Sequence, residues 1–186
     1  MKRYKSMAIA AGIVLGASLV SAGAASANVG NVAIINGVVG LCLDGRTDGT
    51  YSAGRDGDPI QLWQCDPNSP QQHWNFNENA GSYGTITNKF AGLCLDATND
   101  PTHDAGTAGD TIQLWTCNGS AQQQWDPQWV ETSGGVGWYE LKNLYSDGTL
   151  VLDAMSDASH SPKTSGDPVQ LWGFDGASAS NQLWSF

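Results

Sequence analysis

The side chains of this chain that could do chemistry come in threes. Asp44, Asp96 and Asp153 close the related runs Leu41-Cys42-Leu43-Asp44, Leu93-Cys94-Leu95-Asp96 and Leu150-Val151-Leu152-Asp153. A second aspartate follows each at a distance of four residues (Asp48, Asp100, Asp157), and paired carboxylates are the acid and base of glycoside hydrolysis. The triplication argues against that chemistry, because a catalytic pair is expected once, in a deep cleft. Neither a Gly-x-Ser-x-Gly nucleophile elbow nor a His-Glu-x-x-His metal motif occurs. A calcium ion takes six or more oxygens, which the pattern does not assemble, so the second aspartates read as loop scaffolding. No cofactor and no metal is expected.

The same offsets continue through each copy. Seventeen residues after each first aspartate stands Gln-Leu-Trp, as Gln61-Leu62-Trp63, Gln113-Leu114-Trp115 and Gln170-Leu171-Trp172. Each copy then ends in Gln-x-Trp, at Gln72-His73-Trp74, Gln123-Gln124-Trp125 and Gln182-Leu183-Trp184. A ring recurs seven residues after the aspartate (Tyr51, His103, His160), suited to a pocket rim or to solvent. Gly57-Asp58, Gly109-Asp110 and Gly166-Asp167 read as turns into the following strand. The four cysteines permit three pairings, and the repeat decides among them. Cys42 and Cys65 are 23 residues apart, as are Cys94 and Cys117, while Val151 and Phe174 replace both positions together in the third copy. Bridges Cys42–Cys65 and Cys94–Cys117 are therefore expected, each worth roughly 3 kcal/mol by loop entropy. A zinc site is disfavoured, since no cysteines have close knuckle spacing.

Short alternating runs must carry these groups. Val32 to Asn36, Leu41 to Asp44, Ile60 to Cys65 and Trp74 to Phe76 have the period of strands and are separated by Gly, Asn, Asp and Pro clusters. No mature segment keeps a helical apolar stripe through three turns, so an all-β body closed by threefold repetition is expected. Lys2, Arg3 and Lys5 precede an uncharged run from Met7 to Ala25, followed by Ser26-Ala27. This predicts a signal peptide over residues 1–27 and a secreted domain over 28–186, with repeats near 28–80, 81–133 and 134–186. Of the eight basic residues three fall in that signal, leaving five against eighteen acidic ones, a charge of −13 with histidines neutral. Nucleic acid, heparin-like polymers and anionic lipid are poor partners for such a charge; membrane insertion is not expected of the mature chain. Acidity also serves solubility.

Leu-Cys-Leu-Asp (Leu-Val-Leu-Asp in the third copy), Gln-Leu-Trp and Gln-x-Trp, repeated three times, resemble the ricin B-type lectin family, which also supplies carbohydrate-binding modules to secreted polysaccharide hydrolases. The resemblance covers essentially the whole mature chain. It implies a β-trefoil of twelve strands, with Trp74, Trp125 and Trp184 meeting in a shared core. It also implies one sugar pocket per repeat, built from the first aspartate, an aromatic ring and a polar group just before the last tryptophan. The three candidate pockets are Asp44, Trp63 and Gln71; Asp96, Trp115 and Gln122; and Asp153, Trp172 and Asn181. The last position is commonly Asn in the family, so Gln71 and Gln122 depart from the pattern, and the third copy departs in lacking a disulfide.

These groups suit a pyranose, which has hydroxyls at its edge and C–H bonds on its face. A carboxylate accepts hydroxyl hydrogen bonds with charge assistance, an amide donates and accepts, and an indole covers the C–H patch. Each has a plainer alternative: the aspartates as turn caps, the indoles as packing beneath loops. A shallow pocket of this kind binds at about millimolar, or roughly −4 kcal/mol. Three engaged together raise avidity by about 10² to 10⁴, so a polysaccharide or dense glycan surface is the expected partner. The rivals are a protein-binding trefoil such as a protease inhibitor, and less favourably a glycoside-active enzyme.

Overall fold

The computed structural model describes residues 30–38, 40–78 and 83–186. The expected signal peptide lies outside the described residues. Among the described residues, thirteen strands and three single-turn 3-10 segments make up the regular structure, and no helix is long and apolar enough to cross a membrane.

Six barrel positions are formed by β1 (Val32–Ala33) with β2 (Ile35–Asn36), β5 (His73–Glu78), β6 (Gly84–Asn88), β9 (Gln124–Ser133), β10 (Val136–Asn143) and β13 (Trp184–Ser185). They pair in the order β1-β5-β6-β9-β10-β13-β2. Because β1 and β2 are consecutive pieces of one extended run, this order closes on itself and no barrel edge is left open. Three hairpins branch from the ring: β3 (Cys42–Gly45) with β4 (Ile60–Trp63) from β2, β7 (Cys94–Ala97) with β8 (Ile112–Trp115) from β6, and β11 (Leu150–Ala154) with β12 (Val169–Gly173) from β10. This is a β-trefoil. The run expected to reach Cys65 ends as a strand at Trp63.

Alternation explains the core. Leu43, Leu95 and Leu152 point inward from the first strand of each hairpin, Leu62, Leu114 and Leu171 from the second, and Trp74, Trp125 and Trp184 from the barrel, all essentially without solvent contact. Ile34, Ile86 and Leu141 complete the pattern. Each core indole also satisfies its N–H, donating to the carbonyls of Leu43, Leu95 and Leu152 at 3.0, 2.9 and 2.9 Å, so burial leaves no donor unmade.

The Gly-Asp turns do more than turn. The amides of Gly57, Gly109 and Gly166 donate to the carbonyls of Leu114, Leu171 and Leu62 at 2.9, 2.7 and 2.8 Å. In return the amides of Leu114, Leu171 and Leu62 each donate to the carbonyl of Asp58, Asp110 or Asp167 at 2.8 Å. Each repeat is thereby tied to the next, and the third back to the first. Gly109 and Gly166 adopt φ of 98° and 100°, a conformation that disfavours any side chain.

Candidate functional site

The hairpin register builds each site. Asp44 stands directly across from Gln61, Asp96 from Gln113 and Asp153 from Gln170. In antiparallel pairs such neighbours share a face, and each glutamine Nε2 donates to its aspartate Oδ1, at 2.8, 2.9 and 2.9 Å. A second amide reaches Oδ2 in two repeats: Gln72 Nε2 to Asp44 at 3.0 Å, and Asn181 Nδ2 to Asp153 at 2.7 Å. The three carboxylates are thus held by side-chain amides and do not cap backbone turns. Gln123 and Gln182 also pull on Asp96 and Asp153 as hydrogen-bond partners, and an ionised carboxylate offers about four acceptor positions, so two or three amide bonds leave room for hydroxyls.

Burial pushes all three carboxyls above the usual carboxylate range, with the amide bonds pulling partway back. The effect is largest at Asp153, which is pushed up to about 6.

The three pocket indoles behave unlike the core ones. Trp63, Trp115 and Trp172 are 45%, 38% and 42% exposed, whereas Trp74, Trp125 and Trp184 are 0–1% exposed. Each pocket indole shares a recess with its aspartate. The first recess, of about 240 Å³, is lined by Asp44, Gln61, Trp63 and Gln71 among others. The second, of about 180 Å³, gathers Asp96, Gln113, Trp115 and Gln122. Asp153, Gln170, Trp172 and Asn181 line the third, of about 390 Å³. All nine residues singled out from sequence therefore fall into three recesses, one per repeat. Asn181 bonds its aspartate directly, while Gln71 and Gln122 line the recess walls.

Other predicted residues have structural work. Asp48, Asp100 and Asp157 accept backbone amide bonds from Thr50 and Tyr51, from Thr102 and His103, and from Ser159 and His160. The Thr102 hydroxyl with the loop amides at Asp100, and the loop amides first at Asp48 and Asp157, hold the three carboxyls below the usual range. They are loop scaffolds, and the rings of His103 and His160 turn back onto them through Nδ1 at 3.0 Å. Among the described residues no three His, Cys, Asp or Glu side chains gather as a metal would require. Disulfides join Cys42 to Cys65 and Cys94 to Cys117, each with Cα atoms 5.1 Å apart.

Two sets of residues escaped the sequence reading. Gln61, Gln113 and Gln170 were visible only as motif letters, although their constant offset of seventeen residues is the signal of a cross-strand partner. Asn36, Asn88 and Asn143, all fully buried, donate through Nδ2 to the backbone carbonyls of Asn181, Gln71 and Gln122 at 3.0, 2.8 and 3.0 Å. Each therefore fixes the backbone of the pocket amide residue in the preceding repeat. Counted to the site aspartate of their own repeat they lie 8, 8 and 10 residues away, an irregular offset.

A family profile described as ricin-type beta-trefoil lectin domain-like matches residues 20–108 and 70–172. The chain belongs to this family. Solved structures agree on the fold of this ricin-type lectin-like domain. A designed threefold symmetric protein, ThreeFoil, superposes with a TM-score of 0.63 at 22% identity, over 82% of this chain and 94% of that one. The ricin B-like lectin of Macrolepiota procera, solved in complex with lactose, gives 0.60 at 18% identity, over 84% and 94%. An exo-beta-1,3-galactanase from Clostridium thermocellum gives 0.60 at 24% identity over 84% of this chain, which spans only 30% of that larger protein. No curated protein sequence matches. A ricin B-like lectin fold supports a carbohydrate-binding role.

Proposed function

We propose that this domain is a secreted, non-catalytic lectin that binds neutral saccharide units of a polysaccharide or dense glycan through its three recesses. One observation carries the reading. In every repeat a carboxylate held by side-chain amides, with acceptor positions to spare, shares an open recess with a half-exposed indole. Hydroxyls take the carboxylate and the neighbouring amide, while the C–H face of the ring covers the indole and displaces water from it. The N-terminal charged and apolar run, with two disulfides, supports export to an oxidising compartment. Threefold recurrence of the same acid and ring supports binding over catalysis, since one bond-breaking site does not need three copies.

Lactose and a beta-1,3-galactan are apt first probes, given the lactose held by the Macrolepiota procera lectin and the name of the galactanase, with xylose and xylan as contrast. Isothermal titration is the test. Roughly millimolar binding per recess to small sugars and about 10²-fold or greater gain on a polymer are expected. Equal affinity per site for monomer and polymer would remove the multivalent part. Sugar release from a bound polymer would overturn the non-catalytic part.

A further inference from the structure

The three sites are not equivalent, and the first differs in a way that bears on what it reads. Its recess has a neighbour. A second recess of about 170 Å³ is lined by Arg46, Thr47, Asp48, Gln61, Trp63 and Gly166, and it shares Thr47, Gln61 and Trp63 with the recess that contains Asp44 and Gln71. The Trp63 indole thus forms a wall common to both, half-exposed, and the Gly166 turn of the third repeat, which lies against its ring, lines the second recess.

Arg46 makes this second recess chemically distinct. Two residues beyond the site aspartate, the repeats carry Arg46, Thr98 and Met155, and Thr98 and Met155 line the second and third recesses. Only the first repeat therefore presents a guanidinium at this position. That group is oriented by two partners: Nε donates to Asp48 Oδ2 at 2.7 Å, and the guanidinium lies 5.0 Å from the centre of the Tyr51 ring. Asp48 is itself pinned by the amides of Thr50 and Tyr51. A donor already oriented by such partners loses less entropy when it meets a hydroxyl than a free side chain does.

We propose that the first site binds two consecutive neutral sugar units, one beside Asp44 and Gln71 and the next across Trp63 against Arg46, and that Arg46 is the residue selecting for the second unit. The proposal rests on the saccharide-binding reading of the Asp44 recess. Neutral units are favoured because Asp44, Asp48 and Asp66 line these walls and repel an anionic sugar. The second unit meets the guanidinium as a hydroxyl acceptor, for which Arg46 has donors beyond Nε.

The test uses the protein with its other sites silenced by Trp115→Ala and Trp172→Ala, both at exposed rings that leave the core untouched. Galactose, lactose, xylose and xylobiose are titrated calorimetrically against this background, then with Arg46→Met added, the residue type the third repeat carries at this position. A disaccharide is expected to bind about tenfold tighter than its monosaccharide, the scale of one hydrogen bond from a charged donor. Arg46→Met should erase that preference and leave the monosaccharide affinity within about twofold. Circular dichroism on each variant, with Arg46→Lys as a charge-retaining control, distinguishes a lost subsite from a lost fold. Equal affinity for mono- and disaccharide, or equal weakening of both by Arg46→Met, overturns the two-unit site while leaving the single-unit reading intact. If the unaltered protein binds no sugar of the panel and no polymer, both readings fall.

Discussion

Replacing Asp153 with asparagine should change how stability depends on pH in a direction opposite to the usual behaviour of aspartate. Most folded aspartates are stabilised as anions, so their contribution is lost in acid. Asp153 is buried beside Asp175, and its carboxyl is pushed up to about 6, against about 3.9 in an unfolded chain. The sign follows from proton binding: between these values the folded state holds a proton that the unfolded state has released. Ionised Asp153 therefore costs stability, and the cost grows as pH rises from about 4 to about 6. A shift of about two units corresponds to about 3 kcal/mol at neutral pH. Water in the open recess screens part of this, leaving an expected effect on the order of 2 kcal/mol. Asp153→Asn carries no such titration. Asparagine also places an amide against Gln170 Nε2 and Asn181 Nδ2, at a pH-independent loss of roughly one hydrogen bond. The pH dependence of the difference isolates the charge. Urea unfolding with disulfides intact, from pH 3.5 to 7, should show the variant gaining about 2 kcal/mol on the parent across that window. By thermal melting this is a relative shift of about 4–8 °C for a domain of this size. Parallel stability profiles for parent and variant would refute the assignment of a raised carboxyl.

The two classes of tryptophan should separate sharply. Trp74→Ala removes a fully buried ring whose N–H bonds Leu43, at an expected loss of about 3–5 kcal/mol, whereas Trp63→Ala should stay within roughly 0.5 kcal/mol by denaturant unfolding. Gly166→Ala, at a φ of 100°, should cost about 1–3 kcal/mol, measured the same way. Joint replacement of Cys42 and Cys65 by alanine should cost roughly 3 kcal/mol, against the loop of 23 residues they close. In binding, the third site should weaken about tenfold between pH 7 and pH 5 as Asp153 takes up a proton, a change visible by titration of a protein carrying Trp63→Ala and Trp115→Ala.

Much of this fold was legible because contacts inside one repeat leave a fixed spacing. The offset of 23 residues named both disulfides, and Gln-x-Trp named the three core indoles. Contacts between repeats leave no such trace. The ring of bonds from Gly57, Gly109 and Gly166 joins residues whose separation depends on the whole intervening chain. The buried Asn36, Asn88 and Asn143 were hidden for the same reason, since each serves a carbonyl of another repeat. The long β9–β10 hairpin was also unforeseen. Pro127 argues against a central strand; among the described residues its partner is Leu141 of β10, and the pairing of β9 with β6 covers Gln124 and Trp125. Exposure could not be read from composition either: Trp63 and Trp74 are the same residue type eleven positions apart, and only the direction of each strand's side chains decides which meets water.

The most direct measurement is retention on immobilised galactan and xylan by the parent and by a triple variant, Trp63→Ala with Trp115→Ala and Trp172→Ala. The account predicts that the variant keeps its circular dichroism and its cooperative unfolding but loses retention by at least about 10²-fold. A folded variant that is retained as well as its parent would contradict it.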